Sequence, residues 1–233
     1  MAANTSPLVP IGELERAVIR IYERYAVEVV ERFDLCPWAE RARQAGRVKP
    51  RVVLESDPRS LDSSLHAIDL LAADEEAEVG LLLYPRLRVG RLDFEHYLRV
   101  LRREESERHP PGQSPFAMAA FHPSARPDLE HPDRLVPFVR RSPDPTIQLV
   151  RKKVLDEING NARSGTSFVD VRRMGELFTS GAPPSPEPTS VRQWVAERNH
   201  ATVQRVSPQA IEAILADIER DRAHTYTRLG LAI

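Results

Sequence analysis

The stretch Val79-Gly80-Leu81-Leu82-Leu83-Tyr84 is apolar at every position, and its reading decides the fold. A strand with one face in water alternates polar and apolar residues. An unbroken apolar run of this length belongs to a strand covered on both faces. Such cover comes from helices, and helical patterns flank the run. Upstream, Leu61, Leu65, Ile68 and Leu71 recur at helical spacing behind Asp57-Pro58, an N-cap followed by a first-turn proline. Downstream, Phe94, Tyr97, Leu98 and Leu101 repeat the pattern, with Asp93 as the capping residue.

Further outward, Val52-Val53-Leu54 reads as a short strand, and Phe116-Ala117-Met118-Ala119-Ala120-Phe121 as another that ends in His122-Pro123. The chain opens with a long amphipathic helix on which Leu14, Val18, Tyr22, Tyr25, Val29 and Phe33 share a face. Pro37 is expected to start a second, shorter helix through Ala42, which would put Cys36 at its N-cap. Asp144-Pro145 is expected to open a helix carrying Ile147, Val150, Val154 and Ile158, closed by Asn159-Gly160. Ser190 to Gln193 offers a capping box for a helix with Trp194. Ser207-Pro208 starts a last helix with Ile211, Ile214, Leu215 and Ile218.

Helices alternating with strands imply an α/β (or α+β) fold: a small three- to four-stranded sheet with helical crossovers and a helical C-terminal extension. The 233 residues are expected to form a single domain, with the α/β core in 1–160 and the extension in 161–233. Within the extension, the proline-rich loop 181–188 cannot form regular hydrogen-bonded structure.

Composition removes several function classes. A formal net charge of −1 argues against a general nucleic-acid binder, which needs a surplus of Lys and Arg. A single cysteine excludes an internal disulfide, and it excludes a closed zinc site of the four-cysteine or paired cysteine–histidine kind. No apolar run approaches the roughly 20 residues that span a bilayer, and no secretory signal opens the chain. The expected location is the cytoplasm. Dinucleotide-binding, phosphate-loop, nucleophile-elbow, zincin and EF-hand patterns do not occur.

Three places could carry chemistry. Cys36, at the start of a helix, would feel the helix dipole and backbone N–H groups that favour a thiolate. The plainer alternative is a small buried side chain where two helices meet. Cys-Pro-Trp-Ala resembles the first turn of a thioredoxin-type active-site helix, but Ala39 stands where the second cysteine would be, so no dithiol mechanism follows. His122 closes a strand, and in open α/β sheets ligand sites gather at strand carboxyl ends, a place suited to a base or a metal ligand. Its alternative is a histidine that caps the strand. Arg140, Arg141, Ser142 and Arg151 bracket the expected helix at Pro145 and would form a carboxylate or phosphate pocket. Surface ion pairs are the competing reading. The other histidines show no metal-ligand spacing.

Leu35-Cys36-Pro37-Trp38-Ala39, Asp93-Phe94 with Tyr97-Leu98, Ala120-Phe121-His122-Pro123, Arg141-Ser142-Pro143 with Pro145-Thr146, and Glu197-Arg198-Asn199 occur in that order. Together they resemble the bacterial family catalogued as domain of unknown function 1415. The resemblance implies that Cys36, His122, Arg141 and Arg151 belong to one shared site. It also exposes departures. The family motif Asn-Arg-Ser-Pro-Tyr-Pro-Thr-Leu-His-Leu-Leu-Arg-Glu has Arg140 here for Asn, Asp144 for Tyr, Gln148 for His and Lys152 for Glu. Gln148 removes a histidine that could serve relatives as a metal or haem ligand.

The leading expectation is a small enzyme acting on a small anionic substrate, with Cys36 and His122 catalytic and Arg141, Arg151 and Ser142 binding the substrate. A second reading makes Cys36 and His122 ligands of a metal ion or haem. A third is a non-catalytic interaction module that docks through the proline-rich loop.

Overall fold

The computed structural model describes residues 10–36, 38–125, 140–163, 202, 205 and 207–231. The first helix, α1 (Ile11–Tyr25), runs on into a π-helical segment, Ala26–Glu31. Then follow α2 (Ala39–Gln44), β1 (Val48–Val52), α3 (Asp62–Ala73), β2 (Val79–Leu83) and α4 (Arg91–Glu107). The remaining elements are β3 (Phe116–Phe121), β4 (Thr146–Arg151), α5 (Lys152–Arg163) and α6 (Pro208–Arg228). The fold is α+β.

The four strands form one mixed sheet in the order β1-β2-β4-β3. β1 and β2 are parallel, and β4 runs antiparallel to both β2 and β3. β1, β2 and β3 therefore end on the same edge, where β4 begins. Phe121 sits opposite Thr146 there, and Phe116 opposite Arg151 at the other edge.

Period-two alternation sorts the side chains into two cores. Leu81, Leu83 and Phe121 pack with Leu14, Val18, Ile21 and Tyr25 of α1 and with Ile211, Leu215, Ile218 and Tyr226 of α6. Leu82, Phe116, Met118, Ile147 and Leu149 pack on the opposite face with Ile68 and Leu71 of α3 and Phe94, Tyr97 and Leu101 of α4. The continuous apolar run of β2 feeds both. Gly80 lets α3 approach the sheet, because a Cβ there would lie 2.7 Å from Leu71 Cδ1. The C-terminal helix is thus part of the α1-side core, sharing its apolar face with α1.

The expected helix at Asp144-Pro145 is instead β4, a central strand, and the helix begins only at Lys152. Ile147 and Leu149, two apart, are both fully buried, while the helical spacing Ile147, Val150, Val154 is not used. Two causes act together. A residue before a proline is driven toward extended backbone, and Pro143 and Pro145 impose this just upstream. The gap between β2 and β3 also needs a strand to satisfy both ladders, and the Tyr84 N–H already meets the Pro145 carbonyl at 3.0 Å.

Smaller shifts have local causes. β1 covers Val48–Val52 rather than 52–54, because an edge strand tolerates Lys49, Pro50 and Arg51. Asp57 closes a turn by accepting the Arg59 N–H at 2.9 Å, and α3 starts five residues later. Gly90 precedes α4, leaving Asp93 in its first turn. α2 starts at Ala39, so Cys36 is not its N-cap; Pro37 lies outside the described residues. The loop 181–188 and the expected helix at Trp194 also lie outside them. Among the described residues, no helix is long and apolar enough to cross a membrane.

Candidate functional site

The edge where β1, β2 and β3 end is where open sheets with helical crossovers present ligand sites. A cleft opens there with an interior of about 80 Å³, lined by Arg91, Phe94, Glu95, Ala120, His122, Ala125 and Arg140. Each wall comes from a different part of the chain: α4 supplies Arg91 to Glu95, β3 and its exit supply Ala120 to Ala125, and the approach to β4 supplies Arg140. The guanidinium of Arg140 lies 5.5 Å from the Phe121 ring, and Arg91 pairs with Glu95 one turn along α4. Arg86 and Arg88, on the loop between β2 and α4, are exposed and have no ion-pair partner among the described residues.

His122 is the buried centre of this edge. It follows the parity of Met118 and Ala120, so its ring turns toward α4, 5.8 Å from Phe94. Nδ1 lies 3.1 Å from the Ser124 backbone nitrogen and 2.8 Å from its hydroxyl; Nε2 lies 3.1 Å from the Val89 carbonyl oxygen. A backbone N–H can only donate and a carbonyl can only accept. Nδ1 is therefore the acceptor, Nε2 carries the proton, and the ring is neutral. Burial depresses its pKa below the ordinary histidine value, Arg91 adds to the effect, and the Val89 carbonyl and Glu95 oppose it.

A group held neutral in the fold and free to charge when unfolded stabilises above its ordinary pKa of about 6.5 and ceases to as pH falls through its lower folded value. The urea midpoint should therefore fall on acidification from pH 7.5 to 5.5. In His122→Asn, which keeps an acceptor for Ser124, that fall should shrink. An identical acid dependence in the variant would remove His122 as the cause.

The sequence candidates do not converge. Cys36 follows the π-helical segment on the α1 side of the sheet, electrostatically coupled to Tyr22 and Tyr25, and is absent from the cleft wall. His122 faces α4, so the thiol and the imidazole lie on opposite faces and cannot hold one metal ion or one reacting atom together. Burial pushes the Cys36 thiol above its ordinary value, although the backbone N–H groups of Trp38 and Ala39 favour the thiolate.

Arg141 pairs with Glu212 of α6, and the Ser142 hydroxyl donates to the Asp144 carbonyl. Arg151 sits at the far edge of the sheet, about 20 Å from His122 along six strand residues. There its guanidinium donates to the carbonyls of Ala77, Leu71, Ala72 and Asp74 at 2.9, 3.1, 3.3 and 2.7 Å, closing the end of α3. Among the described residues, no three or more His, Cys, Asp or Glu side chains gather as metal ligands.

Comparison with known families matches residues 17–169 to the family described as Protein of unknown function (DUF1415). The chain belongs to this family. No curated protein and no solved structure matches it. The DUF1415 region contains the sheet, α1 from Ala17 onward, α2 to α5 and the whole cleft, whereas α6 lies beyond its end. In this DUF1415 chain, α6 is joined to the matched region through Asp144. Its carboxylate accepts from Arg222 Nε at 2.9 Å and from the Tyr226 hydroxyl.

Arg91, Glu95, Arg86 and Arg88 escaped the reading of the sequence, although Arg86-Leu87-Arg88-Val89-Gly90-Arg91 comes just after the most legible strand, beyond Pro85. Three arginines within eight residues of a strand's carboxyl end are the same kind of signal that singled out His122.

Proposed function

We propose that the cleft at the sheet edge binds a small anionic molecule, and that the protein is a small enzyme holding an anionic substrate group there. The observation that supports this reading is that Arg91 and Arg140 both line one recess with a neutral histidine. The Arg91 guanidinium, close enough to His122 to help lower its pKa, suits the paired oxygens of a carboxylate or phosphate. Arg86 and Arg88, exposed on the loop that leads into α4, add positive charge ahead of that helix, which raises the local concentration of anions. Glu95 offsets part of the Arg91 charge, and Arg140, whose guanidinium lies over the Phe121 ring, adds positive charge beside the cleft.

His122 gives this edge its shape rather than a free base, since both ring nitrogens are engaged. Cys36, on the other face, takes no part in anion binding.

The test is titration with inorganic phosphate and with citrate, followed by calorimetry and thermal unfolding. Saturable binding is expected, weakening with added salt because screening acts on exposed charges. Combined Arg91→Ala and Arg140→Ala should weaken it by roughly tenfold or more, about 1.4 kcal/mol. Unchanged affinity in the double variant would sink the proposal.

A further inference from the structure

We propose, resting on the reading of the cleft as an anion site, that α6 holds that site in shape through the segment 140–145, with Glu212 as a positioning residue for Arg140. Both ends of the segment are tied to the sheet. The His122 N–H donates to the Arg140 carbonyl at 2.9 Å, and the Tyr84 N–H donates to the Pro145 carbonyl at 3.0 Å. Its middle is tied to α6. Arg141 pairs with Glu212, and the Asp144 carboxylate accepts from Arg222 Nε and from the Tyr226 hydroxyl. Arg140, which lines the cleft, is thus the immediate neighbour of a side chain clamped to α6.

A second contact leads from α6 to the same residue. The Arg140 guanidinium lies over the Phe121 ring, and Phe121 belongs to the apolar core that contains Ile211, Leu215 and Ile218 of α6. The helix itself is firmly seated. Arg24 of α1 donates to Asp217 and Asp221, each at 2.8 Å, and Arg20 donates to Asp221 at 2.7 Å. Ordering a long side chain opposes binding, so an arginine whose backbone and ring support are already fixed holds an anion more tightly.

Positioning and plain electrostatics predict opposite signs for one variant. Glu212→Gln removes a negative charge and releases the Arg141 guanidinium, which by Coulomb attraction alone strengthens the binding of an anion. If Glu212 acts by holding 140–145 in place, the same change weakens it. The Glu212 side chain is 42% exposed, so losing its pair costs little stability. Arg222 serves the same segment from a buried position, where its removal threatens the fold.

The experiment titrates the full chain and its variants with inorganic phosphate by calorimetry, with urea unfolding on the same preparations. Glu212→Gln is expected to bind phosphate about fivefold more weakly at a nearly unchanged urea midpoint. Adding it to Arg140→Ala should cause no further loss, because α6 acts through Arg140. Equal or tighter binding by Glu212→Gln would overturn the role of α6, and so would a loss that persists undiminished in the Arg140→Ala background. If instead the parent binds no phosphate, or the combined Arg91→Ala and Arg140→Ala variant keeps the parent's affinity, the anion-site reading itself fails, and this proposal with it.

Discussion

Replacing Arg222 by alanine is expected to destabilise the protein by about 3–5 kcal/mol, the range for stripping one partner from a buried ion pair. Arg222 is 9% exposed and Asp144 is 4% exposed. The guanidinium meets the carboxylate through Nε, pairs with Glu219 through Nη1 at 3.0 Å and lies 4.9 Å from the Tyr226 ring centre. Without it, the Asp144 carboxylate keeps, among the described residues, only the Tyr226 hydroxyl and remains buried with no countercharge there. Its desolvation is then uncompensated. The Tyr226 hydroxyl is already pushed far above its ordinary pKa by burial and by Asp144, so it cannot ionise or supply charge.

Urea unfolding followed by far-UV circular dichroism measures the loss directly. Asp144→Asn combined with Arg222→Met should recover much of it, because two uncharged groups of similar volume leave nothing to desolvate. A loss under about 1 kcal/mol in Arg222→Ala would mean that the pair behaves as a solvated surface bridge.

Arg151→Ala is expected to lower stability by about 2–4 kcal/mol while leaving anion binding at the cleft unchanged. Its guanidinium satisfies four carbonyls around the end of α3 and stacks 5.2 Å from the Phe116 ring. Each charged hydrogen bond contributes about 1.5–3 kcal/mol when its loss leaves the partner buried, and water recovers part of that here because the fan is half-exposed. Arg151→Lys should restore less than half, since an ammonium cannot reproduce a planar fork of donors. Measuring stability and phosphate affinity on the same preparation separates the roles. Lost affinity at full stability would return Arg151 to the site.

Arg151 also shows how the structure can give a residue other neighbours than its motif suggests. Within Arg141-Ser142-Pro143, Pro145-Thr146 and Arg151, the charged and hydroxyl side chains suggested one anion pocket. In the structure, β4 runs through the motif and carries Arg151 away to the opposite edge of the sheet. Ser142 folds back on the Asp144 carbonyl, and Arg141 reaches α6. What looked like a site is largely the set of contacts that seats β4 and α6. Alternation along β3 turns His122 toward α4, whereas Cys36 follows α1 and its π-helical continuation on the other side of the sheet.

The sequence by itself determined the elements whose patterns are strong and local. The run Val79 to Tyr84, the strand Phe116 to Phe121 and the apolar faces of α1, α4 and α6 were legible because burial demands a period of two or 3.6. It also determined His122 as a strand-end residue. Only the tertiary structure decided that Thr146 to Arg151 is a strand, because that choice depends on two neighbours lacking a partner between them. It alone decided that Asp144 meets Arg222 across 78 residues, and that Arg91 and Arg140 share a cleft. Hydrophobic periodicity is written along the chain, whereas the meeting of polar groups depends on which face and which edge each segment presents, and no local pattern encodes that.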